Sequence, residues 1–289
     1  MTSENNKLFT LKGLELISGD SEDTEIFGLA VNSQDVGPGY LFIALQGSVQ
    51  HGAYYSQQAI KNGANAILTD EKGYKIICET EGICEIPVIV LPEPRLSLSK
   101  LAKKFWDKQP EVLVAVTGTN GKTSVANFTR QLWSYLGFSS ASIGTIGVEG
   151  DYSESVQHTT PEPLTLHSLL NKMSEKGVSH CALEASSHGL KQYRLDSVKL
   201  KAAAFTNFSH DHLDYHSDFK EYFEAKMSLF ERVLEHDGTA VIYADDKKSS
   251  DVKRRSEERG LKIFTVGAGE ENDLKILRIK SDETGQTIR

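Results

Sequence analysis

From Glu111 onward, short continuous apolar runs alternate with longer stretches whose apolar residues recur every three or four positions. The runs EVLVAVTG, SASIGTIGV, HCALEA, KAAAFTNF, GTAVIYADD and LKIFTVG each read as a strand. Between them, residues 122–136 read as a helix stopped by Gly137. Thr160-Pro161 opens a second helix running to about Lys176, and residues 217–236 form a third. This alternation predicts an α/β fold, a mostly parallel sheet covered by helices on both faces. In such sheets ligands bind at the carboxyl ends of the strands.

The first hundred residues have a separate pattern. Residues 26–45 (IFGLAVNSQDVGPGYLFIAL) read as strand, Gly-Pro-Gly turn, strand. YYSQQAIKNGA reads as a helix closed by Gly63, NAILTD as the strand after it, and IPVIVLPEP as a strand ended by prolines. SLSKLAKKFWDKQ is an amphipathic helix with Leu98, Leu101, Phe105 and Trp106 on one side. Pro110 then breaks the chain. The expected domains are therefore 1–109 and 110–289.

Length and composition narrow the possibilities. At 289 residues the chain suits two domains and can bury a core without covalent staples. A net charge of −8 argues against a nucleic-acid or membrane-surface protein, both of which want basic patches. Three cysteines, Cys78, Cys84 and Cys181, are too few and too oddly spaced for a disulfide framework or a zinc site. The polar N-terminus is no secretory signal, and no apolar run approaches the ~18 residues of a membrane helix. A soluble cytoplasmic monomer is expected.

Polar clusters follow the predicted strands. Thr117–Gly121 link a buried strand to a helix start. Unpaired helical N–H groups and the helix dipole favour a phosphate there, and Gly118 and Gly121 let the backbone curl around it. Lys122 can reach the outer phosphates and Thr123 can offer its hydroxyl to Mg²⁺. The usual pattern G-x-x-x-x-G-K-[ST] would have glycine where this chain has Val116. Glu184 ends an apolar strand, where a carboxylate can face a metal-bound nucleotide, and Arg194 can fork onto a carboxylate or phosphate. Ser186, Ser187 and Gln192 lie in the same turn-like stretch. His210, His212, Asp214 and His216 approach a dinuclear hydrolase pattern with the last histidine one residue late, so a zinc hydrolase is a rival reading. Thr160 suits a helix cap before Pro161, placing Thr159 and Thr160 beside free N–H groups. Lys226 falls on the apolar stripe formed by Phe219, Tyr222, Phe223, Met227 and Phe230. It is either a snorkelling lysine or a desolvated amine able to take up CO₂ as a carbamate, an anionic metal ligand.

Together these motifs resemble the Mur ligases, and among them the MurE branch. The resemblance rests on GTNGKTS (118–124), TTPEPL (159–164), EASSHGL (184–190), DHLDYH (211–216), YFEAK (222–226) and ADD (244–246). In the N-terminal part, NSQDVGPGYLFIALQGSVQHG (32–52) is similar to the family's uridine-binding region. The loop takes the family's short form G-T-N-G-K-T, in which Val116 is no defect.

The resemblance implies an N-terminal UDP-binding α/β domain and a central P-loop ATPase-type domain. It implies that Gly118, Thr119, Asn120, Gly121, Lys122, Thr123 and Ser124 bind ATP. Thr123, Glu184, His212 and a carbamylated Lys226 would hold two Mg²⁺ ions, with Lys122, Lys226, His212 and Glu184 as the catalytic set. Thr159, Thr160, Ser186, Gln192 and Arg194 would hold the sugar-peptide, and Ser33, Ser48, Val49 and Gln50 the uridine end. The implied reaction is ATP-dependent addition of the third amino acid, diaminopimelate or lysine, to UDP-N-acetylmuramoyl-L-alanyl-D-glutamate. It proceeds through an acyl phosphate, in peptidoglycan precursor synthesis.

The chain departs from the family at Gln34, where arginine is usual, and at Tyr243, where the usual run is Asn-Ala-Asp-Asp. Family members also continue into a C-terminal Rossmann-like domain. A truncated form with little or no ligase activity is therefore expected. A folylpolyglutamate-synthetase-like ligase and a non-catalytic UDP-sugar- or nucleotide-binding module are further alternatives.

Overall fold

The computed structural model describes residues 8–15, 21–81, 85–209, 218–283 and 285–289. The chain divides into two compact units, Met1–Asp107 and Lys108–Arg289, a little before Pro110.

The first unit opens with an antiparallel pair, β1 (Phe9–Thr10) and β2 (Glu25–Ile26). Its main sheet is parallel in the order β3 (Gly28–Ala30), β4 (Tyr40–Ile43), β5 (Ala64–Thr69) and β6 (Val88–Val90). β3 and β4 flank the Gly-Pro-Gly turn yet pair in parallel, because a 3-10 turn at Ser33–Asp35 carries the chain back before β4 starts. The helices are α1 (Ser56–Lys61), α2 (Glu71–Glu81) and α3 (Pro94–Phe105). Gly63 stops α1 at φ +103°. α3 buries Leu98, Leu101 and Phe105 of the face its spacing predicts, while Trp106 lies just past the helix end and is half-buried. The core packs Phe42 and Ile67 of the sheet against Ala59 of α1 and Ile77 of α2.

The second unit is built on an eight-stranded sheet. Its elements in chain order are β7 (Val112–Thr117), α4 (Lys122–Tyr135), β8 (Ser140–Gly144), β9 (Gly147–Gly150), α5 (Pro163–Glu175), β10 (His180–Glu184), α6 (Ser187–Lys191), β11 (Ala202–Phe205), α7 (Phe219–Ser228), β12 (Thr239–Tyr243), α8 (Ser249–Glu258), β13 (Lys262–Gly267) and β14 (Leu274–Lys275). A π-helical turn at Leu229–Val233 extends α7. The spatial order is β14-β13-β12-β11-β7-β10-β8-β9, parallel except for β8–β9. A separate hairpin, β15 (Ile279–Asp282) with β16 (Gly285–Ile288), follows.

The stretch SASIGTIGV is thus not one strand but a hairpin, turned at Gly144–Gly147, with Gly147 at φ +103°. α5 starts at Pro163 rather than Pro161, with Glu162 and not Thr160 in the capping position. The run after Glu184 is not a simple turn: Ser186 caps α6 by accepting a hydrogen bond from the Gly189 N–H at 3.1 Å.

This topology makes a crevice at β7. The chain leaves β7 towards β8 and β10 on one side, then returns to place β11 on the other. The carboxyl end of β7 is therefore a switch point, where loops diverge and leave room for a ligand. Residues 118–121 emerge there.

Candidate active site

The loop after β7 is held open by its glycines and by a strap. Gly118 (φ +145°) and Gly121 (φ +86°) adopt conformations that favour glycine. The strap is Thr206–Ser209, just past β11. Asn207 pairs with Asn120 in both directions, accepting from its N–H at 2.9 Å and donating to its carbonyl at 3.0 Å. The Thr206 hydroxyl donates to Asn120 O at 2.7 Å, and the Thr119 N–H donates to Asn207 O at 2.9 Å. Lys122 opens α4 with its amine donating back to Gly118 O and Thr119 O, at 3.0 and 2.9 Å. The loop and the start of α4 thus face a cavity of ≈330 Å³.

Glu184 closes the opposite wall. It is 2% exposed, and each of its carboxylate oxygens has a donor. Oε1 accepts from the Thr145 N–H at 2.9 Å, and Oε2 from the Thr123 hydroxyl at 2.9 Å and the Thr145 hydroxyl at 3.3 Å. Thr145 Oγ1 lies 3.1 Å from Thr159 Oγ1, which extends the chain of oxygens along the cavity. Behind it the buried Thr160 hydroxyl donates to Glu184 O at 2.7 Å and accepts from the Ser186 N–H at 3.0 Å. Its carbonyl accepts from Arg194 at 2.7 Å, and Arg194 also meets Gln192 and Glu162. Tyr193, at φ +57°, reverses the chain beyond α6 so that Arg194 turns back to Thr160.

Lys226 lies on the cavity wall, 1% exposed. Its amine donates to Gly118 O at 2.8 Å and sits 4.3 Å from the centre of the Tyr222 ring. Tyr222 in turn donates to Thr119 Oγ1 at 3.3 Å, so α7 braces the loop through two side chains. The structure brings the loop, Glu184, Thr159, Ser186 and Lys226 to one cavity. Thr160 and Arg194 stand behind it, and Ser124 is exposed on α4. His210, His212, Asp214 and His216 lie outside the described residues.

Residues 116–289 match the Mur ligase middle domain, and residues 25–106 match the Mur ligase family, catalytic domain. The chain belongs to the Mur ligase family. It is 44% identical over 254 residues to the UDP-N-acetylmuramoyl-L-alanyl-D-glutamate–2,6-diaminopimelate ligase of Agrobacterium fabrum, an alignment spanning 88% of this chain and 50% of that protein. A solved structure of a ligase of that name aligns with a TM-score of 0.82 at 27% identity, over 98% of this chain and 57% of the other. The MurF ligase of Thermotoga maritima in complex with ADP shares the fold, with a TM-score of 0.56 at 20% identity, over 90% of this chain and 54% of the other. The chain spans about half the length of the curated relatives it matches. No helix among the described residues is long and apolar enough to cross a membrane.

In this Mur ligase chain, the N-terminal unit gathers the other named residues at one sheet edge. Ser33 follows β3 and is buried, and its carbonyl accepts from Asn62 at 2.7 Å. Ser48, Val49 and Gln50 follow β4, the neighbouring parallel strand, on an exposed loop tip.

Several residues of the cavity were not singled out from the sequence. Thr145, Thr206 and Asn207 stand in runs that read as ordinary strands. A weak signal existed for Thr145, since Gly144 and Gly147 flank it. Gly144 leaves the space that the Glu184 carboxylate occupies, and a Cβ there would overlap Oε1. Gly144→Ala is expected to cost about 2 kcal/mol and to lower the melting temperature of this unit by about 4–8 °C, as measured by thermal unfolding.

Proposed function

We propose that this chain carries the nucleotide and UDP-sugar sites of an ATP-dependent amide ligase. The ligase adds diaminopimelate or lysine to UDP-N-acetylmuramoyl-L-alanyl-D-glutamate. The observation that carries this reading is the cavity that joins a phosphate-type loop to Glu184 and the buried Lys226. A plain nucleotide-binding turn has no use for the last two.

The reaction begins when the substrate's terminal carboxylate attacks the γ-phosphorus of ATP. The bond to the β,γ-bridging oxygen breaks, releasing ADP and leaving an acyl phosphate. The amine of the incoming amino acid then attacks the acyl carbon, phosphate departs, and the amine loses a proton. The protein's part is alignment and neutralisation of charge. N–H groups of the loop and of the start of α4 take the phosphate oxygens. Lys122, which donates to two loop carbonyls, is placed to swing towards the outer phosphates.

An all-oxygen donor set suits a hard cation, and the Thr123 hydroxyl and Glu184 carboxylate, 2.9 Å apart, form one here. These two would hold Mg²⁺, with His212 and a carbamylated Lys226 serving a second ion. Bound there, the ions would supply positive charge to the transferring phosphoryl group. The Lys226 carbamate forms as the free amine adds to CO₂ and releases one proton. The carbamate nitrogen keeps one N–H, so the bond to Gly118 O survives the modification. Thr159, Thr160, Ser186, Gln192 and Arg194 align the sugar-peptide, and Ser33 with Ser48–Gln50 takes the uridine end.

Calorimetry on this chain tests the reading. UDP and a non-hydrolysable ATP analogue are each expected to bind, at separate sites. Lys122→Ala should weaken the ATP analogue by about tenfold or more, the effect of losing one charge-assisted bond, and leave UDP unchanged. Failure of both ligands to bind would overturn the proposal.

A further inference from the structure

The buried His51 and its half-buried partner Asp70 have no part in the chemistry above, and they sit at the base of the loop assigned to the uridine end. We propose that His51 and Asp70 are positioning residues that set the register of the Gln46–His51 loop for a uridine diphosphate group. The proposal rests on the assignment of Ser33 and Ser48–Gln50 given above.

The loop has an exposed tip and a paired base. Val49 is 93% exposed, so the tip has no apolar anchor of its own. At the base, Gln46 and His51 form an antiparallel bridge, the Gly47 N–H donates to Gln50 O at 3.1 Å, and the Gly52 N–H donates to Leu45 O at 2.8 Å. The placement of the tip is therefore inherited from what holds its two legs.

The two legs are held differently. On the Gln46 side, Lys72 donates to Oε1 at 2.8 Å and Arg95 to the carbonyl at 2.7 Å. Lys72 is exposed and Arg95 half-buried, and both are long side chains that lose rotamer freedom in holding one geometry, so this leg is the looser. On the other side His51 is 2% exposed. Its Nδ1 accepts from the Ala53 N–H at 3.0 Å, which places the ring proton on Nε2. Nε2 then donates to Asp70 Oδ1 at 3.1 Å. The same oxygen accepts from the Gly73 N–H at 2.8 Å, capping the first turn of α2. One imidazole thus joins the end of β4, the turn before α1 and the end of β5. Buried polar links of this kind fix a single geometry when every member is satisfied.

Gly73 gives independent support. A Cβ there would meet His51 Cε1 at 2.5 Å as well as the Thr69 side chain. α2 therefore opens with a poor helix former because its first turn closes on the Thr69 side chain and the imidazole together.

The test is calorimetry with UDP and with a non-hydrolysable ATP analogue, alongside melting temperatures, on this chain. His51→Ala and Asp70→Ala should each weaken UDP by about tenfold, the value of one or two hydrogen bonds. His51→Asn keeps an acceptor for Ala53 but cannot span to Asp70, and is expected to fall between His51→Ala and the unmodified chain. Asp70→Asn keeps an oxygen for both Gly73 and His51 and should restore UDP affinity to within about threefold. The ATP analogue should bind all four variants equally. UDP affinity unchanged in His51→Ala overturns the proposal. So does affinity that follows melting temperature across the set rather than the pattern of bonds, which would make the pair structural. No UDP binding to the unmodified chain overturns the site assignment and this proposal with it.

Discussion

In the intact ligase, replacing Lys226 with alanine is expected to lower amide-forming turnover by about 10²–10³-fold, the effect of losing one preorganised electrostatic group. Burial explains why this lysine differs from its neighbours. Most lysines on an apolar stripe carry their amine out to water, but Lys226 ends inside the cavity, 1% exposed, beside Gly118 O and the Tyr222 ring. An ammonium held away from water is penalised relative to the free amine, and the free amine is the form that takes up CO₂. Two measurements separate a carbamate from a simple cation. A small carboxylate such as formate or acetate should restore part of the turnover to Lys226→Ala, because it returns the missing anion. In the unmodified chain, labelled bicarbonate should give a carbamate carbon resonance that Lys226→Ala lacks. Normal turnover without rescue, together with no such resonance, would show that Lys226 only braces the loop.

The apolar pattern made this lysine visible, since spacing put it on the buried stripe of α7. It also located β7, α4 and the Gly137 stop, which lies at φ +85°. Those elements are legible because each has a single clear period and a glycine where it ends. Other elements carry mixed signals. In α2 the obstacle is Gly73, there because Thr69 and His51 fill the space of its side chain. In α8 the residues are mostly charged, with Val252 its one apolar residue in the core. The hairpin of β8 and β9 reads as one strand because its turn residues, Thr145 and Ile146, look no different from strand residues. At α5 two prolines compete for the first helical position, and Pro163 takes it because Thr160 is drawn into bonds with Glu184 and Ser186. The cavity follows the same rule. Its loop was legible locally, whereas Thr145, Asn207 and Tyr222 reach it only through the fold, from distant points in the chain. Glu184 was legible from its place at the end of an apolar strand, whereas the roles of Thr159 and Ser186 as sugar-peptide contacts came from the family resemblance.

Gly118→Ala should destabilise the second unit far more than Gly121→Ala, although both glycines belong to the same loop. Gly121 sits at φ +86° with nothing near the position of a Cβ. Alanine there bears only the left-handed backbone cost of about 1–2 kcal/mol. Gly118 sits at φ +145°, and a Cβ would overlap Thr206 Oγ1 and lie 3.1 Å from both Asn207 N and Asn207 O. Its neighbours are the strap itself, largely backbone, and cannot yield cheaply. The added methyl would push Thr206 and Asn207 off Asn120 and so free the loop. A combined cost of about 3–5 kcal/mol follows from strain plus overpacking. At about 2–4 °C per kcal/mol for a unit of this size, the expected loss is roughly 6–20 °C for Gly118→Ala, against about 2–8 °C for Gly121→Ala. Thermal unfolding without ligand is the measurement that matters, because it reads the strap and not the phosphate contacts. If Gly121→Ala proved the more damaging, the loop would owe its shape to its own turn rather than to Thr206 and Asn207. The expected order carries a further consequence. The short loop manages without a glycine at Val116, which is buried in β7, because its opening is set by a strap from β11.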